Sequence, residues 1–425
     1  MRLMHTSDWH LGRTFHGVDM LPHQAAHLDH LVELARMARP AAVLVAGDVY
    51  DRAVPPVAAV EVLEAALRRL AEVAPVVVIS GNHDSGTRLG FGAALMRPEI
   101  RLVTALGQVG QAVELPDGAG GPGALVYPIP FLDVYEAAAR WGSEDQPLAR
   151  SHEAVLGAAM ARVRADLARR GLAAGDAAGP GGAAGAPGQG GSAPAPGGAE
   201  AGRRDRPAVV VVAHAFVSGG QASQSERDLT VGGVDRAPAG VFAGADYAAL
   251  GHLHGPQAVA GGQGQVMRYS GSPLAFSFSE IGQVKSTALV TLGQGAPQVE
   301  LAAAPVPRRL AEVRASLAEL ESGAHSHLAR AWVKVTLTDP ARPDNMTARV
   351  RRALPHFLQL EHAPEGFAPD AVSAKVTAAS SPRQVTAEFI DYAGGEPATA
   401  AELEQVDQVL EAVRLGGGRQ AGAGQ

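Results

Sequence analysis

Ala41-Ala-Val-Leu-Val-Ala-Gly-Asp-Val-Tyr-Asp51 is the stretch that decides the fold. From Ala41 to Ala46 no side chain is polar. Neither face of the extended chain could meet water, and a strand of this kind is buried on both sides. Chemistry arrives only past its end, with Gly47, Asp48 and Asp51. Working outward, Arg2–Ser7 leads into Asp8-Trp-His10, and Pro75–Ser80 (PVVVIS) into Gly81-Asn-His-Asp84. Later, Ala208–Ala213 (AVVVVA) leads into His214, and Asp246–Leu250 into Gly251-His-Leu-His254. An amphipathic stretch from Pro22 to Met37, with Leu28, Leu31, Leu34 and Ala35 on one face, and a helix from Val57 to Val73 separate the first three strands. Apolar strands alternating with helices mean sheets covered by helices, an α/β fold.

Farther out, Ala124–Ile129 reads as a fourth strand, and Val266–Ser270, Val284–Leu292 and Val299–Ala303 as a closing antiparallel set. From Val306 the pattern changes to helix (Arg308–Glu321), strand (Arg330–Leu337), helix (Asp344–Leu354) and strand (Phe357–Glu361), a small α+β domain. Gln384–Tyr392 follows, then a helix opened by Thr399-Ala-Ala-Glu402, which fits a capping box. Leu403, Val406, Leu410 and Val413 line one face of that helix, and the glycines from Gly416 end it. It is too short to be stable alone, so the stripe needs a partner. Between Gly171 and Gly202, 27 of 32 residues are Gly, Ala or Pro. Such a segment cannot offset its ordering entropy by burial and reads as a disordered insertion at 171–206. The expected division is 1–304, 305–375 and 376–425.

The 425 residues suit two or three domains. With no cysteine, thiolate nucleophiles, thiolate metal sites and disulfides are excluded. No run approaches the ~18 apolar residues of a membrane span. The start, MRLMHTSD, turns polar too soon for a signal peptide, so the expected location is the cytoplasm. A net charge of −7 argues against a basic coat, although a local basic track for nucleic acid would survive it. Only Lys285, Lys334 and Lys375 are lysines among 36 basic residues, a bias that a GC-rich genome would also produce.

Five strands thus each deliver an oxygen or nitrogen ligand at the carboxyl end, the edge where α/β sheets bind ligands. A lone Asp or His there is ordinarily a cap or a satisfied turn residue; the set is what points to metal. Two carboxylates, an amide oxygen and several imidazoles suit Mn, Fe or Zn better than Mg or Ca. Seven ligands exceed what one tetrahedral ion takes. A carboxylate shared between two ions ~3.5–4 Å apart would use them all, the geometry of two-metal hydrolysis.

In order, D-x-H, G-D-x-x-D, G-N-H-D, a later His and G-H-x-H resemble the five motifs of the calcineurin-like metallophosphoesterases. The stretches DWHLGR, VAGDVYDRAVPP, ISGNHDS, SGGQASQSERDLTVGG, ALGHLHGPQ and RYSGSPLAFSFSE together resemble the SbcD family, the nuclease subunits of bacterial SbcCD complexes. The likeness covers residues 1–310 apart from the insertion. It implies a four-layer αββα sandwich with a small α+β capping domain and a C-terminal helical segment. By the same resemblance, Asp8, His10, Asp48 and His254 hold a first metal ion, and Asn82, His214 and His252 complete a second, with Asp48 bridging. His83 contacts the scissile phosphate and helps the leaving oxygen depart, and Asp51 and Asp84 orient imidazoles. One departure is visible: Ala213 precedes His214, where many members have Gly.

The resemblance further implies two divalent ions with Mn²⁺ as cofactor, DNA as substrate, 3′→5′ exonuclease action on duplex ends and endonuclease action at hairpins or single strands. It implies an SbcC-type coiled-coil ATPase partner in DNA repair, recombination and replication, a homodimer within a heterotetramer, and a nucleoid-associated cytoplasmic location with no membrane. Arg13, Arg52, Arg88 and Arg227 lie in or beside motif loops and are candidate DNA contacts, with solvent-exposed ion pairing as the plain alternative. His5 alternates with Leu3 and is expected inside the fold; His16, His23, His27 and His30 are expected at the surface. Two rival functions remain. A small-nucleotide phosphodiesterase or phosphoprotein phosphatase would need no region 305–415, and a non-catalytic scaffold should have lost ligands.

Overall fold

The computed structural model describes residues 1–117, 122–172, 206–226, 236–262, 265–364, 381–394 and 398–417. The expected insertion lies, from 173 to 205, outside the described residues, as does Arg227. The chain opens with β1 (Arg2–Thr6), a small hairpin of β2 (Thr14–Phe15) and β3 (Val18–Asp19), α1 (Leu21–Ala38), β4 (Ala42–Ala46), α2 (Val57–Ala71) and β5 (Val76–Ile79). Next come α3 (Gly86–Leu89), β6 (Ile100–Val103), β7 (Val113–Pro116), β8 (Pro122–Ile129), α4 (Val134–Trp141) and α5 (His152–Arg169). Then follow β9 (Ala208–His214), β10 (Tyr247–Gly251), β11 (Gln257–Val259), β12 (Val266–Tyr269), β13 (Ser286–Thr291) and β14 (Gln298–Ala303).

These strands form two six-stranded sheets, β14-β13-β1-β4-β5-β6 and β11-β12-β10-β9-β8-β7. Each has a parallel centre and antiparallel pairing towards an edge. Side-chain alternation then builds the layers. Leu3, Leu44 and Val77 of the first sheet meet Val126, Val210 and Tyr247 of the second in one apolar cluster. On the first sheet's other face, Met4, Val43 and Val78 pack against Leu28 and Leu31 of α1 and Leu67 and Leu70 of α2. On the second sheet's other face, Tyr127, Val209 and Val211 pack against Ala137 of α4 and Val155, Met160 and Val163 of α5. These elements form an αββα sandwich. Each of these fully buried Leu, Val or Met side chains contributes about 1.5–3 kcal/mol.

The remaining elements are β15 (Leu310–Ala315), α6 (Leu317–Glu321), β16 (Trp332–Leu337), α7 (Met346–Ala353), β17 (Phe357–His362), α8 (Pro382–Gly394) and α9 (Ala400–Gly417). β15, β16 and β17 form a three-stranded sheet. The chain divides into two compact units: residues 1–313, 318–335 and 347–360 in one, and 314–317, 336–346 and 361–425 in the other. In the second, α8 and α9 pack on each other, joined by an ion pair of Arg383 with Asp407 at 2.7 Å. The capping box at Thr399 is formed: the Thr399 N–H reaches Glu402 Oε2 at 2.8 Å, and Thr399 Oγ1 accepts from the Glu402 N–H at 3.4 Å.

Three expectations change. The Val266 strand is not part of a closing antiparallel set; β12 lies parallel to β10 in the second sheet. The stretch expected as one helix at 308–321 is a strand over Leu310–Ala315 and a helix only over Leu317–Glu321. Its residues Leu310 to Ala315 have helix-forming side chains, but Val313 and Ala315 are buried while Glu312 and Arg314 are exposed. The period of two wins over intrinsic propensity once a sheet edge is available. His27 is not a surface residue; it is 2% exposed within α1.

His5 is inside the fold as expected, bridging the sheets: Nδ1 lies 2.9 Å from Tyr247 Oη and Nε2 3.2 Å from the Leu250 carbonyl. For His27, burial lowers the pKa from 6.5 to about 3, with the neighbouring His30 adding to the shift. The folded protein therefore keeps His27 neutral while the unfolded chain takes up a proton near pH 6.5. Across that window the unfolded state binds more protons, so stability falls as pH drops from about 6.5 towards 3. With metal removed by EDTA, His27→Leu should flatten this acid limb by up to roughly 4 kcal/mol at its low end. Melting curves from pH 7 to pH 4 check it, and parallel wild-type and variant curves would refute it.

Candidate metal centre

Parallel pairing brings the polar strand ends together because β1, β4 and β5 run the same way, as do β9 and β10. Past β1 and β4 the two loops travel as a hydrogen-bonded pair. The N–H groups of Asp8, His10 and Leu11 donate to the carbonyls of Gly47, Asp48 and Val49 at 3.0, 2.9 and 2.9 Å. Asp8, His10, Asp48 and His252 have φ of 54°, 46°, 48° and 111°. Left-handed backbone at non-glycine residues costs of order 1–3 kcal/mol each and persists only where the surroundings impose it. Gln24, buried on α1, imposes it at His10. Its Nε2 donates to the carbonyls of Trp9 and His10 at 3.0 and 2.6 Å, and its Oε1 accepts from the Gly12 N–H at 3.1 Å.

Two motif glycines are needed for space. A Cβ on Gly81 would collide with Asp48 Oδ1, and one on Gly251 with the Ala46 carbonyl oxygen. At Ala213, where a glycine was the more usual expectation, the methyl group is fully buried in the apolar cluster beneath α5.

The structure brings all seven expected ligands together. Asp48 Oδ2 stands 3.6 Å from His10 Nε2 and 3.6 Å from His214 Nε2. On one side, His10 Nε2 lies 3.0 Å from His254 Nε2, and Asp8 shares a ligand cluster with both. On the other, Asn82 Oδ1 lies 2.8 Å from His214 Nε2 and 3.2 Å from His252 Nδ1. Asp8, Asp48 and the four histidines are at most 3% exposed.

Burial sets the electrostatics. It pushes the Asp8 carboxyl well above its ordinary range, with the charge of Asp48 adding to the rise. It holds His10 and His252 well below 6.5, and His214 at about 4. Neutral imidazoles are the ligating form, and converging carboxylates disfavour one another until a cation lies between them. The donor set fits two divalent ions.

Surrounding groups fix the ligands. His214 Nδ1 lies 2.9 Å from the Ala46 carbonyl, which leaves Nε2 for the centre. His254 Nδ1 lies 2.6 Å from Ser225 Oγ. Both carboxylate oxygens of Asp8 accept from the His252 N–H, at 3.0 and 3.2 Å, and one accepts from Ser7 Oγ. His83 donates its backbone N–H to Asp48 Oδ1 at 2.9 Å, and its ring Nδ1 lies 2.8 Å from the Asp51 carbonyl. Its ring centroid is 4.7 Å from that of His10.

Asp51 Oδ1, expected to orient an imidazole, stands 3.6 Å from His10 Nδ1, beyond hydrogen-bond reach. Asp84 differs. Its carboxylate accepts from the backbone N–H groups of Val49, Tyr50 and Gly81 at 3.1, 2.8 and 2.8 Å, so it ties two motif loops together. Burial, with Asp48 nearby, raises it to about 6 against the pull of those three donors.

Arg13 is committed inward: it pairs with Asp51 at 3.4 Å, donates to the Ser225 carbonyl at 3.1 Å and lies 4.9 Å over the Phe276 ring. Arg52 and Arg88 are exposed, and Arg88 reaches the Ala53 carbonyl at 3.2 Å. Sequence reasoning missed Gln24, Ser225, Glu226, Glu280 and Lys285. The one signal available was Lys285, a rare lysine in an arginine-rich chain.

Comparison with known proteins gives two family matches, one at each end of the chain. Residues 1–133 match the calcineurin-like phosphoesterase family, and residues 305–392 match the family described as type 5 capsule protein repressor C-terminal domain, SbcD_C. Among solved structures, the chain is similar to TT1561 of Thermus thermophilus, at 15% identity and a TM-score of 0.38, over 71% of this chain and 98% of that one. Among the described residues, no helix is long and apolar enough to cross a membrane.

Proposed function

We propose that this chain, which carries a calcineurin-like phosphoesterase domain and an SbcD-type C-terminal domain, is a DNA nuclease that hydrolyses phosphodiester bonds with two divalent metal ions, Mn²⁺ in the cell. The observation that carries the reading is Asp48 Oδ2, equidistant at 3.6 Å from imidazoles that belong to the two halves of the ligand set. Asp8, His10 and His254 serve one ion, Asn82, His214 and His252 the other, and Asp48 both. When bound, the pair supplies an activated water and neutralises charge on the phosphate.

The protein's own part is positional and protic. Buried, mutually braced ligands hold the ions without rearrangement at the moment of reaction. With Nδ1 donating to the Asp51 carbonyl, His83 offers Nε2 as the nitrogen that exchanges a proton with the leaving oxygen, and an imidazole suits that task near neutral pH. Exposed Arg52 and Arg88 beside the second and third motif loops supply backbone contacts to DNA.

The SbcD-type region supports the finer reading: 3′→5′ exonuclease action on duplex ends, endonuclease action at hairpins, and work with an SbcC-type ATPase as a dimer of pairs. Leu403, Val406 and Leu410 of α9 are half-buried, while Val385, Phe389 and Val409 of α8 and α9 stay 38%, 64% and 62% exposed. Apolar side chains left open on a helical pair suit docking of a partner's coiled coil.

The test is purified full-length protein, with and without the ATPase partner, on blunt duplex, hairpin DNA and small cyclic nucleotides in Mn²⁺, Mg²⁺ or Zn²⁺. Mn²⁺-dependent cleavage of the DNA substrates, with hairpin opening stimulated by the partner, is expected. Turnover of the small nucleotides alone would overturn the proposal in favour of a small-molecule phosphodiesterase.

A further inference from the structure

We infer that Ser225, Glu280 and Lys285 form a hydrogen-bonded relay that sets the ring of His254 for metal binding and couples the 221–226 loop to the occupancy of that site. The inference rests on reading Asp8, His10 and His254 as ligands of one divalent ion.

Ser225 Oγ lies 2.6 Å from His254 Nδ1 and 2.5 Å from Glu280 Oε1. A hydroxyl has one proton, and an ionised carboxylate only accepts, so Ser225 donates to Glu280 and accepts from the N–H at His254 Nδ1. That direction leaves His254 Nε2 unprotonated, and Nε2 is the atom that faces His10 Nε2 at 3.0 Å. One hydroxyl therefore selects the tautomer that can bind a metal.

The far end of the relay keeps the carboxylate ionised. Lys285, 4% exposed, donates to Glu280 Oε2 at 2.5 Å. It also donates to Ser272 Oγ at 3.0 Å, Gln283 Oε1 at 2.9 Å and the carbonyl of His254 itself at 2.8 Å. Lys285 thus holds the backbone of His254 directly and its ring through Glu280 and Ser225. Glu226, next to Ser225, accepts from the His254 N–H at 2.7 Å, and Arg13 donates to the Ser225 carbonyl at 3.1 Å.

The rarity of lysine sharpens the assignment. Only three occur in the chain, yet one is buried here with four acceptors around a single nitrogen. An ammonium shares its three protons among those four acceptors, whereas no single nitrogen of an arginine carries more than two.

A cation on Nε2 makes the Nδ1 proton a stronger donor, so the bond to Ser225 tightens when the metal binds. By reciprocity the ordered loop raises metal affinity by the same factor. Ser225 is a positioning residue, tested by Mn²⁺ titration of the full-length protein, followed by the electron paramagnetic resonance signal of free Mn²⁺. Ser225→Ala should weaken one of the two binding steps about 10–100-fold, leave the other step and the melting temperature in EDTA unchanged, and be rescued by Ser225→Thr. Two results would overturn the relay. One is wild-type affinity at both steps in Ser225→Ala; the other is a loss of melting temperature in EDTA that Ser225→Thr does not repair. A wild-type protein that binds two ions but cuts no DNA would sink the nuclease reading and leave the relay standing.

Discussion

Asp48→Asn should lose one of its two bound ions outright, bind the other weakly, and lose metal-dependent cleavage by more than about a hundredfold, since even outer partners of a metal site cost that much. Asn is the informative substitution. Asp48 sits at φ 48°, a conformation that Asn tolerates and Ala does not, so the backbone is spared. What disappears is the second negative oxygen between His10 and His214, each 3.6 Å from Oδ2. The same substitution should stabilise the metal-free protein. Buried Asp48 helps push the Asp8 carboxyl well above its ordinary range, and removing one of two close carboxylates relieves that cost. In EDTA the variant should therefore melt at or above the wild-type temperature, and added Mn²⁺ should raise its melting point less than it raises that of the wild type. Retention of two tightly held ions in Asp48→Asn would remove the bridging assignment.

His83→Gln should separate metal binding from chemistry. The histidine's backbone N–H, not its ring, holds Asp48 Oδ1, so the bridge survives the change of side chain. Two ions should still bind, while cleavage of DNA falls about 10²–10⁴-fold, the range of a lost general acid. The loss should shrink for a phosphodiester with a p-nitrophenolate leaving group, which departs without needing a proton. An equal loss on both substrates would show that His83 holds the phosphate rather than protonating the leaving oxygen, and undiminished DNA cleavage would remove it from the mechanism.

The polar side chains that converge at the strand ends were readable in the linear sequence because each depends on a local pattern: an apolar run, often a glycine, then Asp, Asn or His. Parallel pairing does the rest, since strands that run the same way deliver their ends to one edge. Long-range choices were not readable. Nothing local distinguishes β12, which joins the second sheet, from β13, which joins the first. In β15 the side chains favour helix, and only a neighbouring strand makes the period of two favourable. The supports of His254 come from residues 225, 226, 280 and 285, brought together by folding rather than by any motif. Likewise Asp84, adjacent to ligands in sequence, serves the backbone of the second motif loop instead of a ring.

The bridged two-ion centre is tested most directly by anomalous scattering from crystals of the wild-type protein equilibrated with Mn²⁺. Two peaks about 3.5–4 Å apart are expected, with Asp48 between them, one peak beside Asp8, His10 and His254 and the other beside Asn82, His214 and His252. A single peak, or two that do not share Asp48, would contradict it.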